Sequence, residues 1–174
     1  FSGFRAFTTA HGIHKPVLNV MKMFGMMSGD RVAVTTPGNP YTARAVIENG
    51  VRGEPDINGL ASREDDSATV MVWYYHDNDV PMPSAEVQVS VEGIPADRVL
   101  LHHYRIDHEY SNSLSAWQEM GSPRNPTPEQ VEALKEAGEL ELLESPRWLS
   151  TTDEAATVEF ELPWQGVSLL TLSW

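Results

Sequence analysis

The chain has 174 residues and a formal net charge of −13, from 12 Lys plus Arg against 25 Asp plus Glu. Such a surface repels phosphate backbones and anionic lipid, which argues against a nucleic-acid or membrane-surface partner, and the absence of cysteine excludes disulfides and thiolate metal sites. The length suits one domain with a sizeable core, no run approaches the roughly 20 apolar residues of a membrane helix, and FSGFRAFTTAHG lacks the charged start and apolar centre of a signal peptide.

In chain order, Phe1 to Thr9 has neither a turn nor a cap before it, an awkward opening that reads as the edge of a fragment. Pro16 then suits the first position of a helix, with Val17, Val20, Met21 and Phe24, flanked by Leu18 and Met27, as its expected inward stripe, ending at Gly25 to Gly29. From Arg31 the rhythm is that of short strands. Arg31–Thr36 and Ala43–Glu48 read as β-prone runs around the turn Pro37-Gly38-Asn39-Pro40, and Gly50–Asp66 reads as loop with a weak strand near Ile57–Ser62. Thr69–His76 is apolar at consecutive positions, as in a strand buried on both faces. Ala85–Glu92 alternates Val87, Val89 and Val91 with Gln88, Ser90 and Glu92, one face core and the other wet.

The least generic stretch runs from Arg98 to Gln130. Val99–Ile106 reads as a strand, Asp107–Asn112 as a polar corner, and Ser113–Met120 as a short helix with Leu114, Trp117 and Met120 on one stripe, stopped by Gly121 and Pro123. Thr127, Pro128 and Gln130 match a reciprocal capping box, and the helix they open carries Val131, Leu134 and Ala137 inward to Gly138, a position suited to a left-handed cap. Short extended runs resume at Leu140–Leu143 and Arg147–Ser150; Val158, Phe160 and Leu162 then alternate with Glu159 and Glu161, Pro163 and Gly166 turn, and Val167–Leu172 closes the chain. About eight strands with inserted helices predict a mainly β protein, an antiparallel β-sandwich.

Side chains that could carry chemistry are few. His102, His103, Asp107 and His108 are possible metal ligands by type, but His102 and His103, as strand neighbours, point to opposite faces and cannot share one site. His108-Glu109 starts like a zinc-protease helix, but position 112 is Asn rather than His. Asp77-Asn78-Asp79 lacks the Gly and closing Glu of a calcium loop. No Gly-rich phosphate loop or Gly-x-Ser-x-Gly elbow is present. No metal and no cofactor are therefore expected. Of the aromatic residues, Trp73, Trp117, Trp164 and Trp174 sit in core-like contexts, leaving Trp148 and Tyr41 as candidates for exposed sugar-stacking rings.

Several separated motifs, in order, resemble one family. GIHKPVLN, VMVWYYH, HYRID, then SN, AW, MGSP, NPTPEQ, LELLESPRW and LPWQGVSLLTLSW are similar to the C-terminal part of β-xylosidases of glycoside hydrolase family 39, over nearly the whole chain. The family carries a His before the Ser-Asn pair where Tyr110 stands here, so no role of that His is carried over. The resemblance implies that residues 1–29 are the last loop and helix of a (β/α)₈ catalytic barrel and that residues 30–174 are an accessory β-sandwich bracing it. The implied activity is retaining hydrolysis of terminal xylose from xylo-oligosaccharides without a cofactor. Retaining chemistry needs two carboxyls about 5 to 5.5 Å apart; in this family both are glutamates on upstream barrel strands, so no catalytic residue is expected in this chain. The implied partners are the barrel of the same polypeptide and a xylo-oligosaccharide, with any export signal lying upstream. The polar corner has two readings: a hydrogen-bond network fixing the strand-to-helix turn, in which Asp107 and Asn112 or Ser111 bond local backbone, or a substrate rim formed by Asp107, His108, Tyr110 and Asn112. A stand-alone carbohydrate-binding module is the alternative of a different class.

Overall fold

A computed structural model describes residues 7–78 and 81–174. Most of the Phe1–Thr9 opening, and Asp79 of the Asp77-Asn78-Asp79 run, lie outside the described residues. In chain order the elements are α1 (Pro16–Met26), β1 (Asp30–Val32), α2 (Ala43–Asn49), β2 (Asp56–Arg63), β3 (Ser67–Tyr75), β4 (Ala85–Glu92), β5 (Arg98–Ile106), α3 (Ser113–Glu119), α4 (Pro128–Ala137), β6 (Glu141–Leu142), β7 (Arg147–Ser150), β8 (Ala155–Leu162) and β9 (Val167–Ser173).

The apolar run at Val70–Tyr75 becomes the centre of the large sheet because its two faces are covered by different layers. All pairings are antiparallel, in the order β1-β2-β3-β9-β5-β6, with β7 sharing the edge of β5. Val70, Val72, Leu101, Leu170 and Leu172 face the two-stranded sheet β4-β8 and meet Val158 and Leu162 there. Met71, Ile106 and Leu169 face the other way and bury Met23 of α1. The molecule is thus a β-sandwich with a helix on the outer face of its larger sheet. Each fully buried Leu adds roughly 1.5–3 kcal/mol of hydrophobic stabilisation.

The strongly patterned strands lie where the sequence places them. β4 alternates half-buried and exposed residues along its whole length, and α4 opens with the full reciprocal box between Thr127 and Gln130. Five readings are corrected. Ala43–Glu48 is helical: the Thr42 hydroxyl caps the Ala45 N–H at 3.2 Å and Arg44 pairs with Glu48 one turn on at 2.8 Å. These local interactions decide because no strand partner competes for the run, whose Ile47 is 85% exposed. The weak strand near Ile57–Ser62 is an eight-residue strand paired on both sides. Gly138 ends α4 with φ −88°, not in the left-handed region; a side chain there would meet the His14 carbonyl oxygen at 2.8 Å, so close approach of α1's leading segment is what requires glycine. In α3 the buried side is Ser113 and Ser115, while Leu114 of the expected stripe is exposed.

The fifth correction, α1, matters most. Pro16 does occupy its first turn, yet the buried residues are Asn19 and Met23, whereas Val17, Met21 and Phe24 are 41, 44 and 45% exposed. Asn19 explains the rotation: its Nδ2 donates to the carbonyls of Ser111 and Gly138, both at 2.9 Å. A polar side chain so placed holds its helix face inward as firmly as an apolar one.

Candidate functional site

The corner after β5 is built around Arg105, which lies in the interior at 2% exposure. Residues 101, 103 and 105 share the face of β5 that looks toward β8. Arg105 Nε donates to Ser168 Oγ at 3.0 Å, Nη2 to the Glu161 carbonyl at 2.9 Å, and Nη1 to Asp107 Oδ2 at 3.2 Å. The guanidinium also sits 5.7 Å from the Phe160 ring centroid. One side chain therefore ties β9, β8 and the corner together, and a buried cation is tolerable only because each of these groups answers it.

Asp107, itself 7% exposed, closes the turn with its other oxygen. Its Oδ1 accepts from the backbone N–H groups of Glu109 (2.8 Å) and Tyr110 (3.0 Å), and its carbonyl accepts from Asn112 Nδ2 at 2.7 Å. Asn112 caps α3, its Oδ1 accepting from Leu114 and Ser115. Ser111, held at φ 54°, donates its hydroxyl to the Arg105 carbonyl and accepts from the Glu141 N–H, while its own carbonyl takes the Asn19 amide. Ser113 Oγ donates to the His14 carbonyl. The corner thus binds the sheet to α1 and α4. At the surface Lys22 adds an exposed clasp to Glu139 at 3.0 Å and holds that carboxyl below its usual range, with His14 3.1 Å away on the other oxygen.

Of the four candidate rim residues, Asp107 and Asn112 have their polar groups engaged within the turn, His108 is exposed and Tyr110 half-buried. α3 carries Trp117 from the corner into the wall of a cleft of about 600 Å³, also lined by His11, Ile13, Arg124 and Leu134. His103 and His102 do lie on opposite faces of the strand: His103 is buried, its Nε2 2.9 Å from Ser168 Oγ and its ring 4.7 Å from Phe160, while His102 is only partly covered. Burial, and then the positive charges of Arg105 and Arg147, push the His103 pKa down to about 3, so the ring is neutral. No group of three or more His, Asp or Glu is placed to hold a metal among the described residues. Trp148 is 55% exposed, but Arg98 lies 4.4 Å from its ring centroid and occupies one face; Tyr41 is half-buried, with its hydroxyl on the Glu54 carbonyl at 2.6 Å.

Asn19 and Ser168 are key residues that sequence reasoning passed over, and the burial of Arg105 went unread. For Arg105 a signal existed: a cation two positions before Asp107 puts both on one face of the strand. Asn19 and Ser168 gave none, since their partners are 92 and 63 residues away.

The class of protein that the fold defines is an antiparallel β-sandwich with a helix laid on its larger sheet. The family is settled by comparison: residues 1–154 match glycosyl hydrolases family 39, and the chain belongs to that family. Among solved structures it is similar to a family 39 enzyme from Xanthomonas axonopodis pv. citri (19% identity, TM-score 0.74, 95% of this chain and 31% of that one). It is also similar to a monomeric β-xylosidase from Caulobacter crescentus (19%, 0.75, 99% and 33%) and to a bacterial orthologue of human α-L-iduronidase (22%, 0.66, 92% and 27%). These likenesses show the fold, and the chain spans about a third of the length of the structures it matches. No functionally curated protein sequence matches it.

Two predictions follow from the geometry of the corner. Asp107→Ala leaves Arg105 buried without its counter-charge and two N–H groups without an acceptor, and lowers unfolding free energy by about 2–4 kcal/mol; His108→Ala, at an exposed position, changes it by less than about 0.5 kcal/mol. Urea titrations of both variants check this. For His103, the unfolded chain binds a proton near pH 6.5 that the folded chain refuses until about pH 3, so its contribution is complete above pH 6.5 and is lost as pH falls toward 3. Between pH 7 and pH 5 this amounts to about 2 kcal/mol, and His103→Gln removes that part of the slope in the same titrations.

Proposed function

We propose that this chain is the C-terminal accessory portion of a retaining β-xylosidase, with residues 1–29 closing the (β/α)₈ catalytic barrel and residues 30–174 bracing it. The observation that carries the reading is the two-sidedness of α1. One side is fixed to the sandwich by Asn19 and Met23; the other presents Val17, Met21 and Phe24, three large apolar residues at helical spacing and each more than 40% exposed. An apolar helix stripe of this kind is ordinarily covered, and a barrel that has α1 as its last helix would cover it. The similarity to a β-xylosidase over a third of that enzyme's chain supports a substrate of xylose-terminated oligosaccharides. Both catalytic glutamates belong to the barrel, and Asp107 and Asn112 serve the corner's own bonding; the exposed His108 and the half-buried Tyr110 are the residues we assign to the substrate rim. A stand-alone carbohydrate-binding module is less well supported, because one face of Trp148 is occupied by Arg98 and Tyr41 is half-buried.

The test uses Phe24→Lys. In this chain alone the change alters stability by less than about 0.5 kcal/mol; in a polypeptide extended upstream to the length of the related enzymes it costs about 1.5–3 kcal/mol, the burial of one aromatic side chain. The 174-residue chain releases no nitrophenol from an aryl xyloside, and the extended one does. Turnover by the short chain that is abolished by changing one of its own acidic residues contradicts the proposal.

A further inference from the structure

The cations of this chain are almost all engaged. Lys22, Arg44, Arg52, Arg105, Lys135 and Arg147 each pair with a carboxylate, and Arg63 and Arg98 lie against the rings of Trp174 and Trp148. Lys15 has a partner as well. Among the described residues this leaves Arg31, exposed on the edge strand β1, and Arg124. With 25 Asp plus Glu in the chain, an unpaired guanidinium is the exception. Arg124 stands in the wall of the cleft of about 600 Å³ that Trp117 enters, and none of the nine described residues lining that cleft is Asp or Glu. The wall is fixed where α3 ends. Gly121 and Ser122 turn the chain back with φ of 83° and 55°, the Ser122 N–H donates to the Trp117 carbonyl at 3.0 Å, and Trp117 Nε1 donates to the Pro123 carbonyl at 3.0 Å. The left-handed conformation is unfavourable for a serine, so two hydrogen bonds and a strained turn hold the backbone that carries Arg124.

We propose that this cleft binds a hexuronate, a sugar ring carrying one carboxylate, with Arg124 pairing the carboxylate. The guanidinium fork matches a carboxylate through two parallel hydrogen bonds. One cation answers one negative charge; a phosphate group carries about −1.5 to −2, and the described lining offers no second Lys or Arg. Ile13 and Leu134, at 2 and 0% exposure, and the rings of Pro123 and Pro126 form an apolar surface for the C–H face of the sugar. Thr9, Ser122 and His11 supply hydrogen-bonding groups for its hydroxyls. The net charge of −13 does not forbid a small anion here, because exposed charges more than about 8 Å away are largely screened at physiological ionic strength. The cleft is lined by this chain's own residues, so the proposal does not rest on the accessory-portion reading and its test needs no upstream polypeptide.

The experiment is an NMR titration of the 174-residue chain with D-glucuronate, with D-glucose and acetate as the neutral sugar and the bare carboxylate. D-glucuronate shifts the Trp117 indole N–H and the Ser122 and Arg124 amides and saturates with a Kd of about 1 mM, which weakens as salt rises from about 20 to about 300 mM. D-glucose and acetate bind at least about tenfold more weakly. Arg124→Gln lowers the affinity for D-glucuronate about tenfold with the rest of the spectrum unchanged, and Arg124→Lys, which keeps the charge without the fork, restores only part of it. Arg31→Gln, at the other unpaired cation, leaves the affinity unchanged. The proposal is overturned by the absence of saturable shifts up to about 50 mM, by D-glucose or acetate binding as tightly as D-glucuronate, or by full affinity in Arg124→Gln. An equal loss in Arg31→Gln and Arg124→Gln shows an effect of net charge alone and overturns it too.

Discussion

The buried pair of Arg105 and Asp107 is the polar tie that joins β5, β8, β9 and the corner before α3. A guanidinium at 2% exposure is unfavourable unless every donor is answered. Here the answers come from three places distant in sequence: Ser168 on β9, Glu161 on β8 and the carboxylate of the corner. Because Asp107 also caps the turn that follows, satisfying the cation and shaping the corner are one requirement. The corner in turn fixes Ser111 in a left-handed conformation, aims its carbonyl at Asn19, and sets Ser113 against His14. The orientation of α1 is therefore decided inside the sandwich, through polar bonds whose geometry admits little rotation.

That arrangement gives physical content to the proposed bracing role. A helix held by two amide hydrogen bonds and one buried methionine on its inner side is a rigid presenter of whatever its outer side carries. Its outer side is apolar. If a barrel closes on that stripe, strain at the sandwich corner and order in the barrel are linked through a single helix, with no flexible linker between them.

The large strands were legible because their patterns were set locally. Val70–Tyr74 needed burial on both faces and received it from two different layers, with Tyr75 emerging at the end; Ala85–Glu92 and Ala155–Leu162 alternate and lie half wet. The capping box at Thr127 depends on four adjacent residues and was fully readable. The misreadings have a common cause. Val17, Met21 and Phe24 look like a core stripe, and hydrophobicity alone cannot say whether the core they meet is in the same segment of chain; Asn19 outvoted them through partners far away in sequence. Likewise Ala43–Glu48 lacks a strand neighbour, and a one-turn ion pair with a threonine cap then decides its conformation. The polar corner was visible as a cluster, but its division into engaged and free side chains rests on Arg105, whose spacing to Asp107 announced a shared face and not its burial.

The measurement closest to the central claim is the thermal unfolding of the upstream-extended polypeptide carrying Asn19→Leu, followed both by calorimetry and by residual xylosidase activity. If α1 couples the two parts through the corner, calorimetric unfolding and loss of activity move down together by several degrees, in one transition. A variant whose activity survives to the wild-type temperature while a separate sandwich transition falls would contradict the account.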